Sequence, residues 1–177
     1  MPVPELLGVV LAGGRSRRMG ADKALLSFGD GTLLRHQVRL LQPLCARVVV
    51  SGAYAGFDCI ADAWPDGGPL AGLSAAAAAW PGALLALPVD MPLMTATALA
   101  ELTQAAHPAH FENHPLPAFF PDAAALGMAA EALLAGDDRS VRALHRRLGT
   151  RPLPVRDPAA LANANTPADW RQLIAPS

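Results

Sequence analysis

The chain has 177 residues, of which 52% are hydrophobic, 16% are charged and 5% are aromatic, with a formal net charge of −1. This length is typical of one domain, and high hydrophobicity combined with low charge excludes a wholly disordered chain. The near-neutral balance argues against a nucleic-acid-binding module, which would normally be strongly basic. We therefore expect one soluble globular domain over residues 1–177 with no nucleic-acid partner.

Neither the cysteines nor the longest uncharged run predicts a secreted or membrane protein. Cys45 and Cys59 are too few for a disulfide framework and indicate thiols in a reducing cytoplasm. No basic start precedes the first apolar run, so it does not predict a signal peptide. Residues 67–89 carry no charge, but prolines interrupt them and alanines dominate their middle. We expect a helix, a turn and a buried strand there, and no membrane span.

Strand-like and helix-like segments alternate through the first half of the chain. Short apolar runs at residues 6–11, 47–51 and 83–89 predict strands buried on both faces, and residues 57–60 could add a shorter one. Helix-like segments follow at residues 33–44, 70–80 and 96–106. This alternation predicts βαβ units and a mostly parallel sheet.

The second half has weaker signals. Residues 107–122 contain four prolines, which predict a loop or an edge strand. Residues 123–135 resemble a helix, and Asp138 could cap another helix over residues 139–148 that Gly149 ends. Thr166 and Asp169 predict the capped start of a final helix that carries Trp170 and Leu173 inward.

The segment from Leu11 to Lys23 is the most informative part of the sequence. A predicted strand ends in Gly13 and Gly14, and three arginines and Lys23 follow. Glycines allow the backbone to approach an anion closely, and the cations would neutralise phosphate charge. The spacing matches neither a Walker A loop nor the dinucleotide fingerprint. A phosphate or nucleotide site is favoured over the alternative, a turn followed by a solvated basic loop.

Two carboxylates follow predicted strands. Asp90 ends an apolar strand that has no packing reason to finish in an acid, and it could hold Mg²⁺ together with substrate phosphates. Its alternative role is to cap a helix or form the turn before Pro92. Asp62 follows the short strand and could contact a ribose or base, although a turn role is equally consistent with its position.

Three further features have a structural and a functional interpretation. The small residues from Gly67 to Gly72 open a helix whose free amides could bind a ligand, and the alternative is that they allow the helix to pack closely. Asn163 and Asn165 could contact a polar ring, although a helix cap is the favoured reading. Arginines 139, 142 and 146 would lie on one helical face, which is typical of a solvated surface but could serve a phosphorylated substrate.

Taken together, the motifs resemble one family. Residues 11–23 resemble the LAGGxSxRMGxDK signature of nucleotidyltransferases of the molybdenum cofactor guanylyltransferase (MobA-like) family. Residues 68–72 read GPLAG, Asp90 opens a DxP element, and residues 163–167 match an NxNTP element. His114 and Pro115 fall where the family has an HP pair before a strand. The matches occur in the family order over most of the chain.

The resemblance implies a Rossmann-like, three-layer α/β/α fold and a transfer of GMP from GTP to the terminal phosphate of molybdopterin. It implies that Lys23, Arg18 and Asp90 are catalytic and that Asp90 holds Mg²⁺, with Asn163 and Asn165 lying toward the pterin. The residues implied to bind the nucleotide are Leu11, Ala12, Gly13, Gly14, Lys23, Ser51, Asp62 and Asp90. Ser51 stands where some members have asparagine. Further partners implied are molybdopterin-loading proteins and apo-molybdoenzymes.

Three alternatives remain open. A molybdopterin cytidylyltransferase would typically have LAAG in place of Leu11 to Gly14 and would lack GPLAG, so both features favour guanine. A transferase acting on another phosphate acceptor would share the first loop but not the NxNTP element. A non-catalytic cofactor-binding chaperone is disfavoured because Lys23 and Asp90 are both present.

Overall fold

The strands and helices were assigned from a computed structural model that describes residues 5–13, 22–64 and 66–174. The strands are β1 (Leu6–Leu11), β2 (Ser27–Phe28), β3 (Gly31–Thr32), β4 (Arg47–Ser51), β5 (Cys59–Ile60), β6 (Ala83–Pro88), β7 (Ala109–Phe111), β8 (His114–Phe120) and β9 (Arg151–Leu153). The helices are α1 (Leu33–Leu41), α2 (Gly68–Ala79), α3 (Ala96–Thr103), α4 (Ala123–Leu134), α5 (Val141–Leu148) and α6 (Pro167–Ile174). Short 3₁₀ turns cover Lys23–Leu25 and Ala159–Leu161.

A seven-stranded sheet forms the centre of the fold, in the order β5-β4-β1-β6-β8-β7-β9. The first four strands of that order are parallel to one another. Strand β8 runs antiparallel to both β6 and β7, and β9 runs parallel to β7. The mostly parallel sheet predicted from the sequence is confirmed, and β2 and β3 form a separate small hairpin.

Helices cover both faces of the sheet, as a three-layer α/β/α fold requires. Strand β1 is buried on both sides: Leu7 and Val9 belong to the apolar cluster beneath α2, α4 and α5, whereas Val10 belongs to the cluster beneath α1 and α3. This double burial explains why the strand is a continuous apolar run instead of an alternating one.

The proline-rich segment 107–122 differs from its prediction as a loop or edge strand. It forms β7 and β8, and β8 is an interior strand between β6 and β7. The β7–β8 register pairs His110 with Ala118 and then Phe111 with His114, so residues 115–117 fall within an irregularity of the ladder. Pro115 and Pro117 are tolerated because neither belongs to a residue pair of the ladder with β6 or β7.

Helix ends follow side-chain capping, with one correction. Helix α5 begins at Val141, and its N-cap is Ser140, whose hydroxyl accepts from the Ala143 amide; Asp138 instead binds Ser140. The predicted stop at Gly149 is confirmed by its left-handed φ of 61°. Before α6, Thr166 and Asp169 accept from each other's backbone amides, as a capping box does. Trp170 is half-buried and packs against Phe28.

The uncharged stretch 67–89 contains α2, a turn and β6, as predicted. Among the residues described, no helix is both long enough and apolar enough to cross a membrane.

Candidate active site

Four parallel strands end side by side at one edge of the sheet. The register pairs Leu11 with both Ser51 and Pro88, and Ser51 with Ile60. The chain that follows these strands therefore emerges at the same edge, where it carries Ala12, Gly13, Asp62 and Asp90. This carboxyl edge is where open α/β sheets bind ligands. Residues widely separated in sequence thus meet because the strands that precede them are in register.

Ser51, Asp62 and Gly13 form the part of this edge beside β1 and β4. The Gly13 amide donates to the Ser51 carbonyl at 2.9 Å, and the Ser51 hydroxyl donates to Asp62 Oδ1 at 3.0 Å. Ser51 is 3% exposed, whereas Gly13 and Asp62 are exposed. The hydrogen bond to buried Ser51 holds the exposed Asp62 carboxylate at the edge, where it can accept from a ligand.

Helix α2 packs against this group through Gly72. A methyl group at position 72 would lie 2.9 Å from Ser51 Cβ and closer still to its hydroxyl, and 3.0 Å from Leu11 Cδ2. These distances are too short for real carbon contacts, so a larger residue would displace Ser51 or the helix. Close packing, one of the two interpretations made from the sequence, therefore explains the glycine at position 72.

Lys23 lies between Asp90 and Asn165. Its Nζ is 3.4 Å from Asp90 Oδ2 and 3.0 Å from Asn165 Oδ1. The side chains of Lys23 and Asp90 are 14% and 21% exposed. Asn165 therefore does not cap helix α6, although a helix cap was the interpretation favoured from the sequence. Its side chain instead contacts a residue predicted to bind phosphate.

The backbone at Asp90 is also held in place. The Asp90 carbonyl accepts from the Ala164 amide at 2.8 Å, which attaches the segment before α6 to the end of β6. On the other side, the fully buried Gln37 of α1 donates to the Met91 carbonyl at 2.7 Å and to the Val89 carbonyl at 3.4 Å. Sequence reasoning missed Gln37, since the helical pattern alone does not distinguish a buried glutamine from a solvated one.

Tyr54 is a second residue that sequence reasoning missed. Its hydroxyl lies 2.9 Å from Asp22 Oδ2 and 3.2 Å from the Ala12 carbonyl, so one hydrogen is shared between two acceptors. Asp22 Oδ1 accepts from the Ala24 amide and caps the turn that carries Lys23. Burial, and then the Asp22 carboxylate, raise the pKa of Tyr54, so the hydroxyl stays protonated. The only signal in the sequence was that Tyr54, the single tyrosine, follows β4 closely.

Three predicted site residues are not among the contacts described above. Gly14 and Arg18 lie outside the described residues. Asn163 is exposed just before Ala164, which places it on the same segment as Asn165.

A cavity of about 630 Å³ lies between the β7–β8 turn, α5 and β9, away from these residues. Its lining includes His110, Arg142, His145 and Arg146 and none of the predicted site residues. Arg146 pairs with Asp138 at 2.9 Å, and His145 binds the Pro115 carbonyl at 2.7 Å. Of the three arginines considered from the sequence, two line this separate cavity.

The family model for the MobA-like NTP transferase domain matches residues 8–152. A molybdenum cofactor guanylyltransferase from Xanthomonas euvesicatoria is 42% identical to the chain over 176 residues, covering 94% of this chain and 93% of the relative.

The chain belongs to the MobA-like NTP transferase family. This MobA-like transferase shares its fold with molybdopterin-guanine dinucleotide biosynthesis protein A from Archaeoglobus fulgidus, with a TM-score of 0.75, 19% identity and coverage of 95% and 96% of the two chains. It also shares the fold with 2-C-methyl-D-erythritol 4-phosphate cytidylyltransferase from Thermus thermophilus, with a TM-score of 0.71, 17% identity and 98% coverage of both chains. Since transferases named for different nucleotides share one fold, the base must be argued from the site.

Proposed function

We propose that this MobA-like transferase transfers GMP from GTP to the terminal phosphate of molybdopterin and releases pyrophosphate. The observation that carries the proposal is the placement of Lys23 against Asp90 and Asn165 where four parallel strands end. This brings together a cation, a carboxylate and the segment expected to meet the acceptor. The name of the Xanthomonas relative supports both the nucleotide and the acceptor.

The group around Gly13 supports a nucleotide base at this edge. A methyl group at position 13 would lie 3.4 Å from the Ser51 carbonyl and 3.5 Å from Asp62 Oδ2, which is ordinary contact. The protein's own packing therefore does not demand glycine there. A ligand lying against the exposed backbone of Gly13 does explain it. We assign the base and ribose to this group, with Ser51 holding Asp62 as an acceptor for ligand hydroxyl or amino groups.

The residues present fit a magnesium ion at Asp90. The carboxylate is partly exposed, and no group of three or more His, Cys, Asp or Glu side chains among the described residues could form a closed metal site. Mg²⁺ is commonly held by one or two carboxylates together with substrate phosphates, so a lone carboxylate beside a phosphate-binding lysine suits it. When bound, Mg²⁺ would neutralise charge on the phosphates of GTP.

In the transfer itself, the chain positions two anions and stabilises their charge. An oxygen of the molybdopterin phosphate attacks the α-phosphorus of GTP; the new P–O bond forms as the bond to the β-phosphate oxygen breaks, and its electron pair leaves with pyrophosphate. The attacking oxygen is already anionic, so no side-chain nucleophile is needed. Lys23, and in our assignment Arg18, offset the charge that accumulates on the phosphates.

The acceptor side is assigned to the segment before α6. Asn165 accepts from Lys23 through its oxygen, which leaves its NH₂ group to donate to the acceptor. We place the pterin beside Asn163 and Asn165. The same proposal includes molybdopterin-loading proteins and apo-molybdoenzymes as protein partners, and the cytoplasm as the location.

The metal requirement tests the assignment of Asp90. We expect the purified chain with GTP and molybdopterin to release pyrophosphate with Mg²⁺ and to stop in EDTA. The Asp90→Asn variant should lose at least about 100-fold in turnover, since it removes a charged group that acts on the phosphates. The control is Asp30→Asn, which alters an exposed carboxylate paired with Arg39 and should leave turnover unchanged. Equal turnover in EDTA, or a fully active Asp90→Asn variant, would contradict the assignment.

A further inference from the structure

Gln37 is a polar residue on the buried face of α1. The other buried residues of that helix are Leu33, Leu34 and Leu41, and Gln37 is as inaccessible as they are, with 0% exposure. An uncharged amide at such a position loses its hydration and must recover hydrogen bonds from the protein. Only part of that loss is recovered, because Oε1 has no hydrogen-bond partner among the described residues.

The Nε2 group of Gln37 binds the backbone on both sides of Asp90. It donates to the Met91 carbonyl at 2.7 Å and, at a longer 3.4 Å, to the Val89 carbonyl. Between them, the Asp90 carbonyl accepts from Ala164 at 2.8 Å. Three consecutive carbonyls are therefore held by two segments of the chain that lie far apart in sequence. The peptide that carries the Asp90 carboxylate is more tightly constrained than a simple turn after a strand.

Glutamine at this position leaves one buried oxygen unpaired within the described part of the chain. A methionine of similar size would fill the space and remove that oxygen, although the Val89 and Met91 carbonyls would lose the Nε2 donor and, of the two, only the Met91 carbonyl would keep a bond from a described residue, the Met94 amide. What an apolar residue cannot supply is two hydrogens on one nitrogen, and among uncharged side chains only asparagine and glutamine offer them. The pair of bonds to Val89 and Met91 uses that feature.

We propose that Gln37 is a positioning residue that holds the Asp90 peptide where its carboxylate can meet the metal–nucleotide complex. This inference rests on the proposed role of Asp90 and extends it to a residue that does not touch the substrate. Residues that fix the orientation of a metal-binding carboxylate commonly contribute to its metal affinity without touching the metal.

The test compares Gln37→Met with wild type by a readout that does not depend on turnover. Water-proton relaxation gives the affinity for Mn²⁺·GTP, and equilibrium dialysis in EDTA gives the affinity for GTP alone, both without acceptor. The ratio of the two affinities measures the contribution of the metal. We expect Gln37→Met to lower this ratio by about 10-fold, with GTP affinity in EDTA within about twofold of wild type. The melting temperature should stay within a few degrees of wild type, because removal of the unpaired oxygen offsets the loss of the two hydrogen bonds. Gln42→Met, at the exposed end of the same helix, should match wild type.

The outcomes separate this inference from the proposed function. If Asp90→Asn lowers the ratio but Gln37→Met leaves it unchanged, the positioning role is overturned and the metal assignment stands. If Asp90→Asn also leaves the ratio unchanged, the metal assignment itself fails. A Gln37→Met protein that does not fold, or that melts well below wild type, would assign Gln37 to stability and overturn the inference.

Discussion

Lys23 and Asn165 are 142 positions apart, yet the lysine ammonium donates to the asparagine oxygen at 3.0 Å. The same ammonium lies 3.4 Å from Asp90 Oδ2. The segment before α6 is therefore part of the proposed phosphate site and not a separate appendage. A change on the acceptor side can act on the nucleotide side through this one lysine.

Replacing Lys23 with alanine should lower kcat/KM by about 100-fold to 1,000-fold, as the loss of one charge-stabilising group does in other enzymes. Its pairing with Asp90 is long and partly exposed, so the free energy of unfolding should change by no more than about 1 kcal/mol. Steady-state pyrophosphate release and urea unfolding measure the two effects. Arg39→Ala, which removes the partner of Asp30 in an exposed pair, is the control and should retain full turnover. A Lys23→Ala enzyme within a few-fold of wild type would remove the lysine from the mechanism.

Replacing Tyr54 with phenylalanine should raise the KM for GTP about 2-fold to 12-fold, because a hydrogen bond contributes about 0.5–1.5 kcal/mol. The hydroxyl joins the Ala12 carbonyl to Asp22, and Asp22 caps the turn that carries Lys23. Without this link, the backbone at Ala12 and the turn that carries Lys23 should both be held less firmly in the proposed nucleotide site.

A double-mutant cycle with Asp22→Asn checks that explanation. The asparagine keeps an oxygen for the Ala24 amide, so the cap can persist while the charge next to Tyr54 is lost. The effects of the two changes on KM should be clearly non-additive. Additive effects would mean that Tyr54 acts independently of Asp22.

Replacing Gly72 with alanine should destabilise the fold by about 1–3 kcal/mol through overpacking. The added methyl group would lie 2.9 Å from Ser51 Cβ, which also disturbs the hydroxyl that holds Asp62. We therefore expect the KM for GTP to rise as well.

Gly127→Ala is the matched control for this prediction. In α4 the nearest atom to the new methyl group is Ala77 Cβ at 3.4 Å, so the change should be neutral or stabilise by up to about 1 kcal/mol. Urea unfolding of the two variants compares them directly. If both variants behaved alike, close packing at Gly72 would not be the reason for the glycine.

His145 should make the fold sensitive to mild acid. Burial lowers its pKa from 6.5 to about 4, although its bond to the Pro115 carbonyl opposes this shift. The unfolded chain binds the proton more readily, so the stabilisation is complete above pH 6.5 and is lost as the pH falls from 6.5 toward 4. Between pH 7 and pH 5 this loss amounts to about 2 kcal/mol at 1.36 kcal/mol per pKa unit.

The His145→Gln variant isolates this contribution, because glutamine can still donate to the Pro115 carbonyl but does not titrate. The variant should lose less unfolding free energy than wild type between pH 7 and pH 5, as measured with urea. Equal losses in the two proteins would show that other groups cause the acid sensitivity.

The apolar strands could be read from the sequence, whereas contacts between distant segments could not. Strands β1 and β4 begin and end where predicted, since a strand buried on both faces leaves an uninterrupted apolar run. The interior position of β8 was missed because proline usually excludes an interior strand, and an irregular ladder accommodates it here.

The candidate site likewise contains residues that the local sequence identifies and residues that it does not. Asp90 was identified from its position after an apolar strand, and Lys23 from its glycine-rich and basic surroundings. Ser51 was reached only through the family resemblance. Gln37 and Tyr54 act through contacts with distant backbone carbonyls, and such contacts leave no pattern in the local sequence.

The most direct test of the account offers the purified chain GTP, CTP or ATP separately, with Mg²⁺ and molybdopterin, and measures pyrophosphate and the dinucleotide product. We expect product with GTP and none with CTP or ATP. Product with CTP would contradict the guanine assignment around Gly13 and Asp62, and no product with any nucleotide would contradict guanylyl transfer itself.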